Sequence, residues 1–215
     1  MVQDPSTGQW NYYSSTGAIS QIFFGNPGDV GFLGDWDGDG IKTPGLYRRS
    51  DGYVYLRNSN TQGIADISFF FGNPGDLPMA GDFDGDGKDT VSIYRPSEGK
   101  FYIINALGSA DGGLGAADFS FFYGVPGDQA FMGDWDGDGI DTPGLRRDTT
   151  GFVYLRNSNT QGVADVDYFY GNNGDVVLTG DWDGDGDDTL GLYRPSTGRV
   201  FLRNTNSTGV ADVTY

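Results

Sequence analysis

Four short stretches carry the residues whose types and spacing could do chemistry: Asp35-Trp-Asp-Gly-Asp-Gly40, Asp82-Phe-Asp-Gly-Asp-Gly87, Asp134-Trp-Asp-Gly-Asp-Gly139 and Asp181-Trp-Asp-Gly-Asp-Gly186. In each, three carboxylates stand at alternate positions within five residues, where they repel one another unless a cation sits between them. The interleaved glycines let the backbone curl until all three aim at one point. Hard oxygen donors in a flexible loop suit Ca²⁺ better than Mg²⁺, which demands a stricter octahedron. Four loops imply about four bound Ca²⁺.

An EF-hand is the obvious competitor, but it needs a bidentate Glu at position 12 and flanking helices. Counted from the first aspartate, position 12 is Leu46, Ile93, Leu145 and Leu192, and β-rich segments flank every loop. Asp and Gly are also favoured in ordinary turns, so a single copy would read equally well as a hydrophilic bend. Four copies in one phase favour the cation.

The elements that must position these loops repeat with them. The first aspartates are 47 residues apart from Asp35 to Asp82, 52 from Asp82 to Asp134 and 47 from Asp134 to Asp181, a spacing that means repeated supersecondary units. Each unit carries four strand-like runs, in the first unit Val30–Trp36, Pro44–Arg48, Tyr53–Arg57 and Ala65–Phe71, separated by Gly, Asn, Asp and Ser. No stretch has a helical period. The five extra residues of the second unit fall in one hairpin loop, Ala106–Ala116, where they leave strand register alone.

Ahead of the first full unit, Ser6–Tyr13 and Ala18–Phe24 match the last two strands of a further repeat. A four-stranded antiparallel meander of this length is the unit of a β-propeller. The expected fold is therefore all-β, one propeller domain over 1–215 with four to five blades: a half-repeat 1–24 and repeats 25–71, 72–123, 124–170 and 171–215. Eighteen expected strands fill neither four blades nor five. The unpaired half-unit Gln9–Phe24 offers an edge to a neighbouring chain, and the sequence leaves oligomeric state open.

Composition agrees with many short strands and tight turns: 215 residues, 37 of them Gly, with 15% aromatic and 37% hydrophobic residues. A formal charge of −17 argues against nucleic acid or an anionic membrane surface as partner, because the protein's own field repels both. No apolar run is long enough to span a membrane, so no membrane insertion is expected. The opening Met1-Val2-Gln3-Asp4 lacks the basic and apolar segments expected of an export signal. With no cysteine, redox compartment is not written in the chain. Loops of this kind are most useful where calcium is abundant, which points to an extracellular or cell-surface location.

Phe24-Gly25 followed by Gly34-Asp-Trp-Asp-Gly-Asp-Gly-Ile-Lys-Thr-Pro-Gly45 resembles the FG-GAP or VCBS-type repeat of integrin α-subunit propellers and of bacterial surface and secreted proteins. The pattern recurs at Phe71-Gly72, Tyr123-Gly124 and Tyr170-Gly171, so the resemblance covers nearly the whole chain. It implies that the calcium loop joins the first two strands of a blade, with ligands at positions 1, 3, 5, 7 (a backbone carbonyl) and 9. Position by position, these are Asp35, Asp37, Asp39, Ile41 and Thr43; Asp82, Asp84, Asp86, Lys88 and Thr90; Asp134, Asp136, Asp138, Ile140 and Thr142; Asp181, Asp183, Asp185, Asp187 and Thr189. Position 9 departs from the family's Asp, and Asp89, Asp141 and Asp188 stand instead at position 8, which is Lys42 in the first loop.

With neither His nor Cys, neither a Ser-His-Asp nor a Cys-His site can be assembled. Glycoside hydrolysis needs only two carboxylates, but these aspartates belong to repeated loops, whereas a catalytic pair breaks repeat symmetry. No enzyme activity is expected. The leading expectation is a non-catalytic recognition or adhesion module for a glycan or protein, a role supplied by the resemblance; the alternative is a purely structural spacer in a larger surface protein. The loop aromatics Trp36, Phe83, Trp135 and Trp182 are expected to pack rather than to stack on sugars. Alternate connections of a meander lie at one end of the sheet, so the Arg-Asn-Ser-Asn loops at 57–60 and 156–159 should share an edge with the acidic loops.

Overall fold

In a computed structural model, which describes residues 1–13, 19–108 and 116–215, the chain is an all-β, five-bladed β-propeller. Residue 18 of the expected strand Ala18–Phe24 and residues 109–115 of the expected insertion lie outside the described residues. The first sheet holds β1 (Val2–Asp4), β2 (Gln9–Tyr13) and β3 (Ile19–Phe23); the second β4 (Val30–Gly34), β5 (Thr43–Arg48), β6 (Tyr53–Leu56) and β7 (Ile67–Phe70). The third is built from β8 (Leu77–Gly81), β9 (Thr90–Arg95), β10 (Lys100–Ile103) and β11 (Phe119–Phe122). The fourth has β12 (Gln129–Gly133), β13 (Thr142–Arg147), β14 (Phe152–Leu155) and β15 (Val166–Phe169). The fifth has β16 (Val176–Gly180), β17 (Thr189–Arg194), β18 (Arg199–Leu202) and β19 (Val213–Thr214). Strand order follows chain order in every sheet.

The half-repeat is larger than the sequence suggests. Val2–Asp4 pairs antiparallel with β2, Val2 opposite Asn11 and Asp4 opposite Gln9, and so makes a three-stranded sheet. Three residues of mixed polarity leave no alternation to read, which is why this strand escapes sequence analysis.

The described residues form two compact units, 1–80 with 87–93 and 103–119, and 81–86 with 94–102 and 120–215. In the first, Trp10, Ile22 and Phe24 of the opening sheet bury against Leu46 of the second. In the other, Phe131, Trp135, Val153, Leu155, Tyr168 and Tyr170 of the fourth sheet close on Leu190 and Leu192 of the fifth. Neighbouring sheets thus bury one another's aromatic faces, which is what stabilises blades too small to hold a core alone.

Each blade is tied at one end by a turn of the Pro-Gly-Asp kind. In Asn26-Pro27-Gly28-Asp29, Pro sits where φ is fixed and Gly28 takes φ +91°, the conformation a type II turn requires. The Asp29 carboxylate accepts the Asn26 amide at 2.9 Å and is gripped by Arg48, Nε and Nη2 each at 3.0 Å. The fork recurs as Arg147 on Asp128, at 2.9 and 3.0 Å, and as Arg194 on Asp175, both at 2.8 Å. These guanidinium groups also lie over aromatic rings: Arg48 over Tyr55, Arg147 over Tyr154 and Arg194 over Phe201. Planar two-point pairing stacked on a ring is the arrangement Arg performs and Lys does not.

Burial raises the pKa of several phenols. Tyr94 and Tyr170 are pushed up to about 12 by burial. Half-buried Tyr12 also reaches about 12 by burial, against the pull of Arg57, and Tyr123 and Tyr168 are raised further by the same cause. The folded chain therefore keeps protons that the unfolded chain releases near pH 10, so this contribution is intact below about pH 10 and disappears as pH rises through the folded values. Urea unfolding between about pH 10 and 12 should show stability falling by up to about 1.4 kcal/mol per pH unit for each of these residues. Ionisation of all 13 tyrosines at an ordinary midpoint, with the fold intact, would contradict this.

Candidate metal centre

Each acidic loop connects the first two strands of a blade: β4 to β5, β8 to β9, β12 to β13 and β16 to β17. The first aspartate organises it. Asp35 Oδ1 accepts the amides of Gly38 and Asp39 at 2.9 and 3.1 Å, and Oδ2 that of Gly40 at 2.7 Å. Asp82 takes Gly85 and Asp86, Asp134 takes Asp138 and Gly139, and Asp181 takes Gly184, Asp185 and Gly186. Turning those amides inward is possible because positions 4 and 6 are left-handed, as at Gly38 (φ +77°) and Gly40 (φ +83°).

The result brings the sequence-derived carboxylates together in all four loops. Asp35, Asp37 and Asp39 each offer an oxygen within 4.8 Å of the others, as do Asp82, Asp84 and Asp86; Asp134, Asp136 and Asp138; and Asp181, Asp183 and Asp185. Two oxygens on one Ca²⁺ lie no further apart than twice the bond length, about 4.6–5.2 Å. The donor set therefore fits a calcium ion in spacing and in chemistry. Like charges held together show in the third loop, where burial, then Asp138 and Asp134, hold Asp136 above the ordinary carboxylate range, opposed by a hydrogen bond from Asn157. At Asp181 the Gly184 amide, joined by those of Gly186 and Asp185 and opposed by slight burial, lowers it.

Positions 7 and 9 play other visible parts. The amides of Ile41, Ile140 and Asp187 donate to the position-5 carboxylates of Asp39, Asp138 and Asp185 at 2.8, 2.9 and 3.1 Å, which ends the loop. Thr43, Thr90, Thr142 and Thr189 open the second strand of each blade with buried side chains. Their hydroxyls donate to main-chain carbonyls: Thr43 to Gly34 at 3.3 Å, Thr90 to Ile104 at 2.6 Å, Thr142 to Gly133 at 3.4 Å and Thr189 to Arg203 at 2.7 Å.

Sequence reasoning left position 8 without a role, and the structure supplies one. Asp89 Oδ2 accepts the amide of Asp35 at 2.8 Å, while the Asp89 amide donates to the Asp35 carbonyl, also at 2.8 Å. Asp141 does the same to Asp82, at 2.8 and 2.7 Å, and Asp188 to Asp134, at 3.3 and 2.6 Å. Position 8 of one loop thus clasps position 1 of the loop before it. The exception is the available signal: Lys42 occupies position 8 in the first loop, and the opening sheet ahead of it carries no acidic loop.

The loop aromatics pack, as expected. Trp36 and Trp135 are buried and meet Phe32 and Phe131 edge to face, each at 5.6 Å. A Cβ at Gly34 would fall 2.4 Å from the Trp36 ring, so the indole lies flat on its own hairpin. The Arg-Asn-Ser-Asn loops and their Arg-Asn-Thr-Asn counterpart at 203–206 share the acidic edge: Asn60 donates to the Lys42 carbonyl at 3.3 Å, Asn159 to that of Asp141 at 2.9 Å and Asn206 to that of Asp188 at 3.0 Å. In these loops Arg57 donates to Thr61 O and Ile64 O, Arg156 to Thr160 O and Val163 O, and Arg203 to Ser207 O and Val210 O, all at 2.6–2.7 Å. Each pinned loop holds one apolar side chain in solvent, Ile64 at 85%, Val163 at 81% and Val210 at 84% exposure.

No protein-family model matches the chain, and no curated protein matches it. Among solved structures it is similar to the crystal structure of BBS1N in complex with ARL6DN, soaked with mercury, at 13% identity and a TM-score of 0.48, over 97% of this chain and 69% of that one. That similarity bears on neither ligand nor partner. Among the described residues there is no helix long and apolar enough to cross a membrane.

Proposed function

We propose that this chain is a calcium-stabilised, non-catalytic propeller of the FG-GAP or VCBS kind that works outside the cell as a recognition or adhesion module. The observation that carries the calcium reading is the fourfold convergence of three carboxylates within the span of one ion's ligand shell. Bound calcium would neutralise the clustered charge and fix the loops, and this chain's own residues supply the rest: the amides that turn each loop, the buried threonines that seat its exit and the indoles that anchor its entry.

The recognition reading draws on Ile64, Val163 and Val210, three β-branched side chains held in water by arginine-pinned loops on the acidic edge of their sheets. Exposed apolar groups on ordered loops are contact points for a protein or the apolar face of a sugar. The competing role, a spacer, is favoured by near-identity of the repeats, as in Tyr55–Gly63 and Tyr154–Gly162.

Equilibrium dialysis with ⁴⁵Ca should count about four ions per chain. A glycan array and a protein pull-down, each run in calcium and in chelator, should then give a ligand whose capture falls in the triple variant Ile64→Asp, Val163→Asp, Val210→Asp. Calcium binding without any ligand would leave the spacer as the reading; no calcium binding would remove both.

A further inference from the structure

The clasp at position 8 has a companion at position 7. A methyl group built on Gly137, position 4 of the third loop, would meet Asp187 Oδ1 of the fourth loop at 2.5 Å. On Gly38 of the first loop it would meet Lys88 Cγ of the second at 3.1 Å, and on Gly85 of the second, Ile140 Cγ1 of the third at 3.5 Å. The side chain at position 7 of each loop therefore leans over the middle of the loop before it, while Asp89, Asp141 and Asp188 beside it clasp that loop's first residue. The three leaning side chains differ in charge: Lys88 is cationic, Ile140 neutral and Asp187 anionic.

Resting on the calcium reading, we propose that each cation site is completed by the following repeat, and that the position-7 side chain of that repeat sets its affinity. A carboxylate within a few ångströms of the cluster attracts a divalent ion and an ammonium opposes it, and in a half-exposed site the effect survives physiological salt. The third loop, under Asp187, binds most tightly; the second, under Ile140, comes next; the first, under Lys88, is weaker. In the fourth loop all three aspartates are exposed, whereas Asp35, Asp82 and Asp134 are partly buried. Position 7 thereby serves two loops, through its main chain in its own and through its side chain in its neighbour.

The loop tryptophans make the sites separately readable. Phe83 stands where the other loops have Trp, so Trp→Phe is a native choice at this position, and Trp10 of β2, kept in every variant, gives a common background. In a Trp36→Phe, Trp182→Phe background, luminescence of Tb³⁺ sensitised by Trp135 reports the third loop, with Ca²⁺ competition confirming the site. Asp187→Lys should shift that titration to roughly tenfold higher terbium, and Asp187→Leu should fall between.

In the Trp135→Phe, Trp182→Phe background, where Trp36 reports the first loop, Lys88→Asp should shift it to roughly tenfold lower terbium. All three substitutions keep the backbone carbonyl of the substituted loop. A shift confined to the substituted residue's own loop, or no shift in the preceding one, overturns the proposal while calcium binding stands. A parent protein with no saturable terbium signal overturns the calcium reading and this one with it. Asp188→Asn keeps an acceptor for the Asp134 amide and removes the charge; it should weaken the third loop less than Asp188→Ala.

Discussion

Transferring the protein from calcium to excess chelator should lower its melting temperature by about 20 °C or more. An ion that binds only the folded chain stabilises it by about 2.7 kcal/mol per site at 100 times its dissociation constant, roughly 10 mM for a site of the 10⁻⁴ M class. For a chain of this size each kcal/mol moves the melting temperature by about 2–4 °C. Removing the ions also leaves three carboxylates facing one another in every loop, with nothing between them. Differential scanning calorimetry in Ca²⁺, Mg²⁺ and EDTA is the measurement. Asp134→Ala should take away more than a quarter of the calcium increment, since it disables the tightest of the four sites. Identical melts in calcium and chelator would show that the clusters hold no structural ion.

The second large effect is expected at Arg146. Its side chain is fully buried, and it donates to Tyr170 O at 3.1 Å, Asn172 O at 2.7 Å and Asp148 Oδ1 at 2.8 Å. The corresponding residue of the second sheet is Tyr47, whose hydroxyl donates to Asn73 O at 2.6 Å. Both side chains cross from the second strand of a blade to the carbonyl just after its Phe-Gly or Tyr-Gly step. Arg146→Met fills the volume but removes the guanidinium from the buried Tyr170 carbonyl, while Asn172 O keeps the Asp175 amide and Asp148 keeps that of Gly174, a loss of about 2 kcal/mol. Arg146→Tyr restores the donor used in the second sheet and should cost less than half as much. Chemical denaturation of the three proteins decides it: equal losses for Met and Tyr would mean that the guanidinium contributes only bulk.

Much of this architecture can be read from the chain because the information is local and repeated. The 47-residue spacing, the turns at Asp29 and Asp128 and the alternation within Tyr53–Arg57 each need only a few neighbouring residues, and copying reinforces them. The three carboxylates of each loop are legible for the same reason, since alternate spacing on a glycine-rich bend leaves few geometries. What the chain hides depends on distance. Asp89 meets a residue 54 positions earlier and Asp141 one 59 positions earlier, so no window of sequence shows the clasp. The threonines at position 9 show a role that spacing alone does not: they begin the second strand of each blade, and their hydroxyls donate to main-chain carbonyls. β1 is hidden because three residues are too few to show a period.

The arginine-pinned loops have a consequence for how the molecule can change. Arg57 and its counterparts fasten the backbone through main-chain carbonyls, so the shape of each loop is indifferent to the side chains at 62, 64, 161, 163 and 210. Mutation can rewrite those outward positions one repeat at a time without unsettling the framework beneath. Tandem duplication then yields several independent presentation points on one inherited support, and diversification of what the molecule touches is decoupled from the conservation of how it folds.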